Sequence, residues 1–208
     1  MTQGNAPGAI RYWLGRLLLA VLGWRTTGRA PAHAKYVLVA APHTSNWDLP
    51  LFLACSYVMG VRVRWTGKKN LFRPPLGWLL RWLGGFPVDR RASRDLVQQL
   101  VDELGRQDHL VLAIQPEGTR RRAEYWRTGF YYIALGAQVP IALTYLDYSR
   151  KEGGFGPCLI PSGDLERDAE TMRAFYDDKV GRYPENFTPV AFPPSHRDQA
   201  VARTGTGP

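Results

Sequence analysis

Apolar positions along the chain fall into two alternating periods. Residues 10, 13, 14, 17, 18 and 21 recur at helical spacing and predict a helix over about 9–23. The run Tyr36-Val37-Leu38-Val39-Ala40-Ala41 is continuous and of β type, and a helix-like stretch, Leu49 to Met59, follows it. A strand is expected at 61–66, then a basic loop and a short helix from Pro75 to Leu83. Proline in its first turn suits the start of that helix, and Gly84-Gly85 suits its end. After a short strand, Phe86-Pro87-Val88, Ser93 is placed to cap a helix over 94–105 with apolar residues at 96, 97, 100, 101 and 104. Strand 109–114, a polar loop 115–127, helix 128–136, strands 139–145 and 155–160, and helix 164–181 complete the pattern. Beyond Pro184 the chain is rich in Pro, Thr and Gly and reads as a flexible tail over 185–208. No internal repeat or linker interrupts 31–184. The prediction is one α/β domain with a central mixed sheet flanked by helices, preceded by an N-terminal amphipathic helix within 1–30.

Composition changes this picture through charge. The 208 residues suffice for one domain with a real core, and their net charge of +9 is unevenly spread. Residues 1–61 carry five Lys/Arg against Asp48 alone, and residues 62–94 carry nine against Asp89 alone. The remainder carries thirteen against sixteen acids. The first half therefore meets anions. Trp65, Leu71, Phe72, Leu76, Trp78, Leu79, Leu80, Trp82 and Leu83 stand among those cations. That mixture suits an anionic membrane surface better than a nucleic-acid groove, and the chain has no nucleic-acid reader motif. The competing reading puts many of these residues in the core.

The helix from Tyr12 to Trp24 would extend about 20 Å, against about 30 Å of hydrocarbon, and Arg11 and Arg16 interrupt it. It is expected to lie in the membrane surface, with a docked core helix as the competing reading. Ala32-His33-Ala34 resembles a signal cleavage site, but Arg25 and Arg29 precede it and the stretch lacks a basic start. Cys55 and Cys158 sit in no ligand or disulfide spacing and read as two buried thiols in a cytoplasmic setting. No metal or cofactor is expected.

Candidate chemistry lies in three short blocks. In Pro42-His43-Thr44-Ser45-Asn46-Trp47-Asp48, an imidazole has a carboxylate five positions on, at a strand-to-helix junction of the kind where α/β sheets place their sites. Taken alone, His43 reads equally as a capping or core histidine and Asp48 as an acid at a helix start. Gly84-Gly85-Phe86-Pro87-Val88-Asp89-Arg90 is, alone, a turn into a strand. Pro116-Glu117-Gly118-Thr119-Arg120 is, alone, a polar loop with a strain-relieving glycine.

Together and in this order, the blocks resemble the glycerolipid acyltransferase family that includes the 1-acylglycerol-3-phosphate acyltransferases. That family carries an H-x4-D block, a G-x-x-[FI]-[IPV]-x-R block, a P-E-G-T-R block and a later V-P-[IV] block, matched here by Val139-Pro140-Ile141. Lys68-Lys69-x-Leu71-Phe72-x-x-Pro75 also looks like the family, and the resemblance spans roughly 36–145. It departs from the pattern at Pro42, where a small or polar residue is usual, and at Arg121-Arg122, which make the third block more basic.

The resemblance implies transfer of an acyl group from acyl-CoA or acyl carrier protein to the 2-hydroxyl of 1-acyl-sn-glycerol 3-phosphate, giving phosphatidic acid. His43 would be the general base and Asp48 its orienting partner, with direct attack and no acyl-enzyme. Ser45 and Cys55 are poor nucleophile candidates, and no G-x-S-x-G occurs. Arg90 and Arg120 would hold the acceptor phosphate, with Glu117, Gly118 and Thr119 completing the substrate site. Two alternatives stand: the same chemistry on another lyso-lipid or a glycolipid, and a non-catalytic membrane-surface binding module. The expected place is the cytoplasmic face of the cell membrane, held peripherally.

Overall fold

In the computed structural model, residues 7–88 and 93–193 are described. A seven-stranded sheet runs in the order β1-β7-β6-β2-β5-β3-β4. Its strands are β1 (Arg25–Thr27), β2 (Lys35–Ala40), β3 (Val63–Lys68), β4 (Gly85–Val88), β5 (Leu110–Ile114), β6 (Ile141–Asp147) and β7 (Glu152–Leu159). Among the described residues the α-helices are α1 (Ala9–Leu22), α2 (Asp48–Val58), α3 (Gly77–Trp82), α4 (Ser93–Arg106), α5 (Gly129–Gly136) and α6 (Leu165–Tyr176). From β6 through β2, β5 and β3 to β4 all neighbours are parallel, whereas β7 runs antiparallel to β6 and β1 follows β7. The sheet is mixed, as the alternation of periods predicts.

Side-chain alternation along β2, β5 and β6 makes two cores. Val37, Val39, Leu112, Ile141 and Leu143 point to one face, where α4, α5 and α6 contribute Leu100, Leu104, Phe130, Ile133, Met172 and Tyr176. Tyr36, Leu38, Val111, Ala113 and Ala142 point to the other, packed by Leu19 of α1 and by Leu51, Leu53 and Cys55 of α2. The crossover after β2 therefore covers one face and the crossover after β5 the opposite one. The C-terminal ends of these adjacent strands open a crevice between them, the switch point at which such sheets bind ligands.

Three expectations change. β1 and the first half of β7 are strands that the pattern does not announce. Gly153 and Gly154 sit where a Cβ would lie 2.6 Å from Cys55 Sγ and 2.0 Å from the Thr27 carbonyl oxygen, so only glycine admits the neighbours that define these strands. Helix α6 ends at Tyr176 rather than 181, because the Tyr176 hydroxyl donates to the carbonyls of Val39 and Thr144 and ties that turn to the sheet. The packed chain also continues past 184. Val190 and Phe192 are buried against Trp126, so the boundary expected at 184/185 moves at least to 193.

The N-terminal helix forms as expected, but its apolar stripe points outward. Gly15 and Leu19 are its buried residues, and a Cβ at Gly15 would lie 2.9 Å from the Ala54 carbonyl oxygen of α2. Ile10, Trp13, Leu14, Leu17 and Val21 are all more than half exposed. The basic segment's large apolar residues divide. Trp65 and Phe72 enter the core, whereas Leu71, Leu76, Trp78 and Trp82 stay exposed. The Arg11 guanidinium donates to the Trp82 carbonyl at 2.7 Å and lies 4.7 Å over its ring, joining α1 to α3. Among the described residues no helix is long and apolar enough to cross a membrane.

Candidate active site

His43 and Asp48 stand at the crevice, where the chain leaves β2 and enters α2. The carboxylate is 5 % exposed and its Oδ2 lies 3.1 Å from His43 Nδ1. The same Oδ2 accepts the backbone N–H groups of Thr44 and Ser45, each at 2.8 Å. The five-residue spacing thus folds the loop into a nest of donors around its own acid, which also sits in the favourable first turn of α2. Asp48 Oδ1 accepts the Tyr148 hydroxyl at 2.7 Å. With Nδ1 directed at Asp48, no described residue engages Nε2, and the imidazole is about one-fifth exposed. Ser45 is buried, and its hydroxyl accepts the Trp47 N–H at 3.2 Å.

The loop after β5 brings the third block to the same edge. Glu117, expected from the sequence to complete the substrate site, is 2 % exposed, and its Oε1 accepts the backbone N–H of His43 at 2.7 Å. Burial pushes its carboxyl up to about 8. Hydrogen bonds from the His43 and Thr188 backbones oppose the rise, and the charge of Asp48 adds to it. Glu117 therefore shapes the His43 loop. Gly118 adopts φ +67°, and a Cβ there would lie 2.4 Å from Arg127 Nε, so this turn requires glycine. Thr119 and Arg120 are exposed. Thr119 Oγ1 accepts the Arg121 N–H at 3.3 Å, and the Arg120 guanidinium donates to Asn46 Oδ1, linking the third block to the first. Arg90 lies outside the described residues.

Of the two cysteines, Cys55 is buried, with its thiol pushed up to about 12 by burial, and Cys158 is exposed because it stands on the outer part of β7. Neither touches the His43–Asp48 pair. A pocket lined by Pro42, His43, Asp48, Leu49, Phe52, Gln115 and Thr144 opens beside the imidazole. A second small pocket, lined by Cys55, Met59 and Phe155, shares Phe52, Thr144, Tyr145 and Leu146 with the first.

Residues of the site that the sequence does not single out come from distant elements. Tyr148 follows β6. Thr188 supports the third block from beneath, its Oγ accepting the Ala123 N–H and its carbonyl accepting the Trp126 indole N–H at 2.8 Å. The Tyr183 N–H donates to Thr44 Oγ1 at 3.2 Å. No local motif signals these contacts. Their only trace in the sequence is a polar or aromatic residue shortly after an apolar element.

Chemically, the arrangement offers an imidazole with one nitrogen directed at a fixed carboxylate and the other at the pocket. Beside it lie a small, mainly apolar pocket and an exposed arginine, an arrangement suited to general-base chemistry. A family model described as Acyltransferase matches residues 25–144. Among curated proteins, the chain is similar to the 1-acyl-sn-glycerol-3-phosphate acyltransferase of Haemophilus influenzae, 29 % identical over 143 residues, covering 64 % of this chain and 58 % of that protein. It is also similar to the enzyme of the same name from Streptococcus pneumoniae, 30 % identical over 137 residues, covering 61 % of this chain and 50 % of that protein. The matched region thus spans little more than half the length of these relatives. In fold it is similar to the crystal structure of the 1-acyl-sn-glycerophosphate acyltransferase PlsC from Thermotoga maritima. That match has a TM-score of 0.55 at 20 % identity and covers 81 % of this chain and 74 % of that one.

Proposed function

Because the chain belongs to the acyltransferase family matched over residues 25–144, we propose that it moves a fatty acyl group from a thioester to the 2-hydroxyl of 1-acyl-sn-glycerol 3-phosphate, giving phosphatidic acid. The donor is acyl-CoA or acyl carrier protein. The observation that carries this reading is the His43–Asp48 pair, with the acid held by its own loop and the outer imidazole nitrogen left at the pocket. The relatives named for this reaction support the choice of acceptor.

In this reading His43 Nε2 removes the acceptor hydroxyl's proton as its oxygen attacks the thioester carbonyl. Asp48 keeps the proton of Nδ1 in place and stabilises the imidazolium as it forms. The proton then passes to the departing thiolate, so no acyl-enzyme is needed. Arg120, with Arg90, receives the acceptor phosphate. The protein works at an anionic membrane surface, on the cytoplasmic face. The exposed apolar residues of α1 and α3 enter the headgroup region, while Arg16, Lys69, Arg73 and Arg81 meet the phosphates.

The test is product mass spectrometry on a panel of lyso-lipid and glycolipid acceptors with acyl-CoA and acyl carrier protein donors. Lysophosphatidate should be the acceptor consumed, and His43→Ala should lower turnover by roughly a thousandfold or more while the protein stays folded. Full turnover in that variant sinks the base assignment. Turnover of a different acceptor reassigns the substrate, and turnover of none leaves a membrane-binding module.

A further inference from the structure

We propose that Tyr148 is a positioning residue for this reaction, acting through Asp48 on His43; as a catalytic role it rests on the acyl-transfer reading above. Asp48 is gripped unequally at its two oxygens. Oδ2 takes the imidazole and two amides, all from residues 43–45 of the same short loop. Those three contacts move with the loop, whose backbone and outer side chains are separately held by Glu117, Arg120 and Tyr183. The single described contact to Oδ1 is the Tyr148 hydroxyl at 2.7 Å, from a residue one hundred positions away in sequence. That bond ties the loop to the end of the central strand β6.

Tyr148 is itself well anchored. Its ring packs edge-on against Trp24, with centroids 4.9 Å apart, and its backbone N–H donates to the Val180 carbonyl at 2.9 Å. The turn that carries it is pinned by Asp147, fully buried, whose Oδ1 accepts from the Ser149 N–H, the Ser149 hydroxyl and the Arg150 N–H. The same tether reaches the loop from its other side. Tyr183 donates to Thr44 Oγ1, and Gly181 packs so closely that a Cβ there would lie 2.8 Å from that oxygen. Burial and the bond to Asp48 both push the Tyr148 hydroxyl upward, so it remains a donor. A carboxylate fixed at both oxygens holds the imidazole in one plane and one tautomer; released at Oδ1, it can pivot and take the ring with it.

The experiment compares the full chain with Tyr148→Phe, Asp48→Asn and the double variant. Phenylalanine keeps the packing on Trp24 and removes only the hydroxyl. The first measurement is the nitrogen spectrum of the ¹⁵N-histidine ring, read through its carbon-bound protons. His43 should show the Nδ1-protonated tautomer in the parent and a tautomer mixture in Y148F. This readout needs no substrate, so it stands or falls separately from the acyl-transfer reading. The second is steady-state kinetics: Y148F should lower kcat by roughly tenfold with both KM values within about twofold, and should add no further loss in the Asp48→Asn background. An unchanged His43 spectrum, or an equal loss with and without Asp48, overturns the proposal. So does a Y148F protein that melts far below the parent, since the hydroxyl would then be holding the fold and not the imidazole.

Discussion

Both faces of the sheet bury a hydrophobic cluster, but the helices that cover them turn different surfaces to the outside. On the face closed by α4, α5 and α6, the apolar residues of α4 (Leu96, Val97, Leu100 and Leu104) point inward, and Leu104 is fully buried. On the face covered by α1, α2 and α3, an equally regular stripe on α1 points outward, and Trp78 and Trp82 of α3 join it. Helices α1 and α4 are each fourteen residues long, and both carry apolar residues at helical spacing. The period thus reveals that a helix has an apolar face, and the neighbours decide what that face meets. For α1 the deciding feature is Gly15, which lets the helix lie close on α2 through a narrow seam and leaves its broad stripe unused. Charge follows the same division, since the open face is built from the strongly basic first half.

The sharpest test of this asymmetry replaces the same residue type on each face. Trp126, 1 % exposed, contacts Tyr176 and Phe192 edge-on on the closed face and donates its indole N–H to Thr188. Trp126→Ala should cost about 3–5 kcal/mol in denaturant unfolding, as large aromatic truncations in cores do. Trp78, 70 % exposed on the open face, should cost no more than about 0.5 kcal/mol on the same change. Similar losses at both sites would mean that the open face is covered in the folded protein.

Where the two faces meet, at the C-terminal edge of the sheet, Glu117 supplies a pH-dependent test. Its carboxyl titrates at about 8 in the folded protein, against an ordinary value near 4.5. The folded state therefore holds a proton that the unfolded chain has released. The stability this provides is complete below about 4.5 and is lost as pH rises through about 8. Urea midpoints measured from pH 5 to pH 9 should decline over that window. Glu117→Gln, which keeps an acceptor for the His43 N–H and cannot ionise, should flatten the decline. Parallel curves for the two proteins would remove Glu117 as the source.

Much of this architecture is legible in the chain because it is local. The helical periods of α1 and α4, the apolar runs of β2 and β5, and the turn that folds Asp48 back onto Thr44 and Ser45 all lie within short windows. What is not legible depends on partners far away in sequence. Strand β1 is three residues that become a strand by pairing with β7. Val190 and Phe192 are a short apolar pair in a Pro-rich segment, and distant residues such as Trp126 and Phe130 bury them. Glu117 has the residue type of a substrate contact, yet its partner is a backbone amide 74 positions away. A motif names the chemistry that a residue can do; contacts of this length decide which of its tasks it performs.

A second substitution with little expected effect on stability tests the proposed membrane role of the open face. Trp13 and Leu17 of α1 are 65 % and 63 % exposed, one helical turn apart on the same side. Replacing both with serine removes apolar surface that the folded chain does not bury, so unfolding free energy should change by no more than about 1 kcal/mol. Binding to vesicles containing anionic lipid should nevertheless fall by roughly tenfold or more, because each large side chain entering the headgroup boundary contributes on the order of 1–3 kcal/mol of transfer free energy. Sedimentation with vesicles of phosphatidylcholine and phosphatidylglycerol measures this. Raising salt should weaken the binding of the parent, since the proposed docking has Arg16 and the cations around α3 meeting the lipid phosphates. The paired result, stability kept and binding lost, is the opposite of the outcome expected for Trp126. Binding that survived the double substitution would transfer the membrane contact to α3 alone, and a large loss of stability would show that the stripe on α1 packs against protein after all.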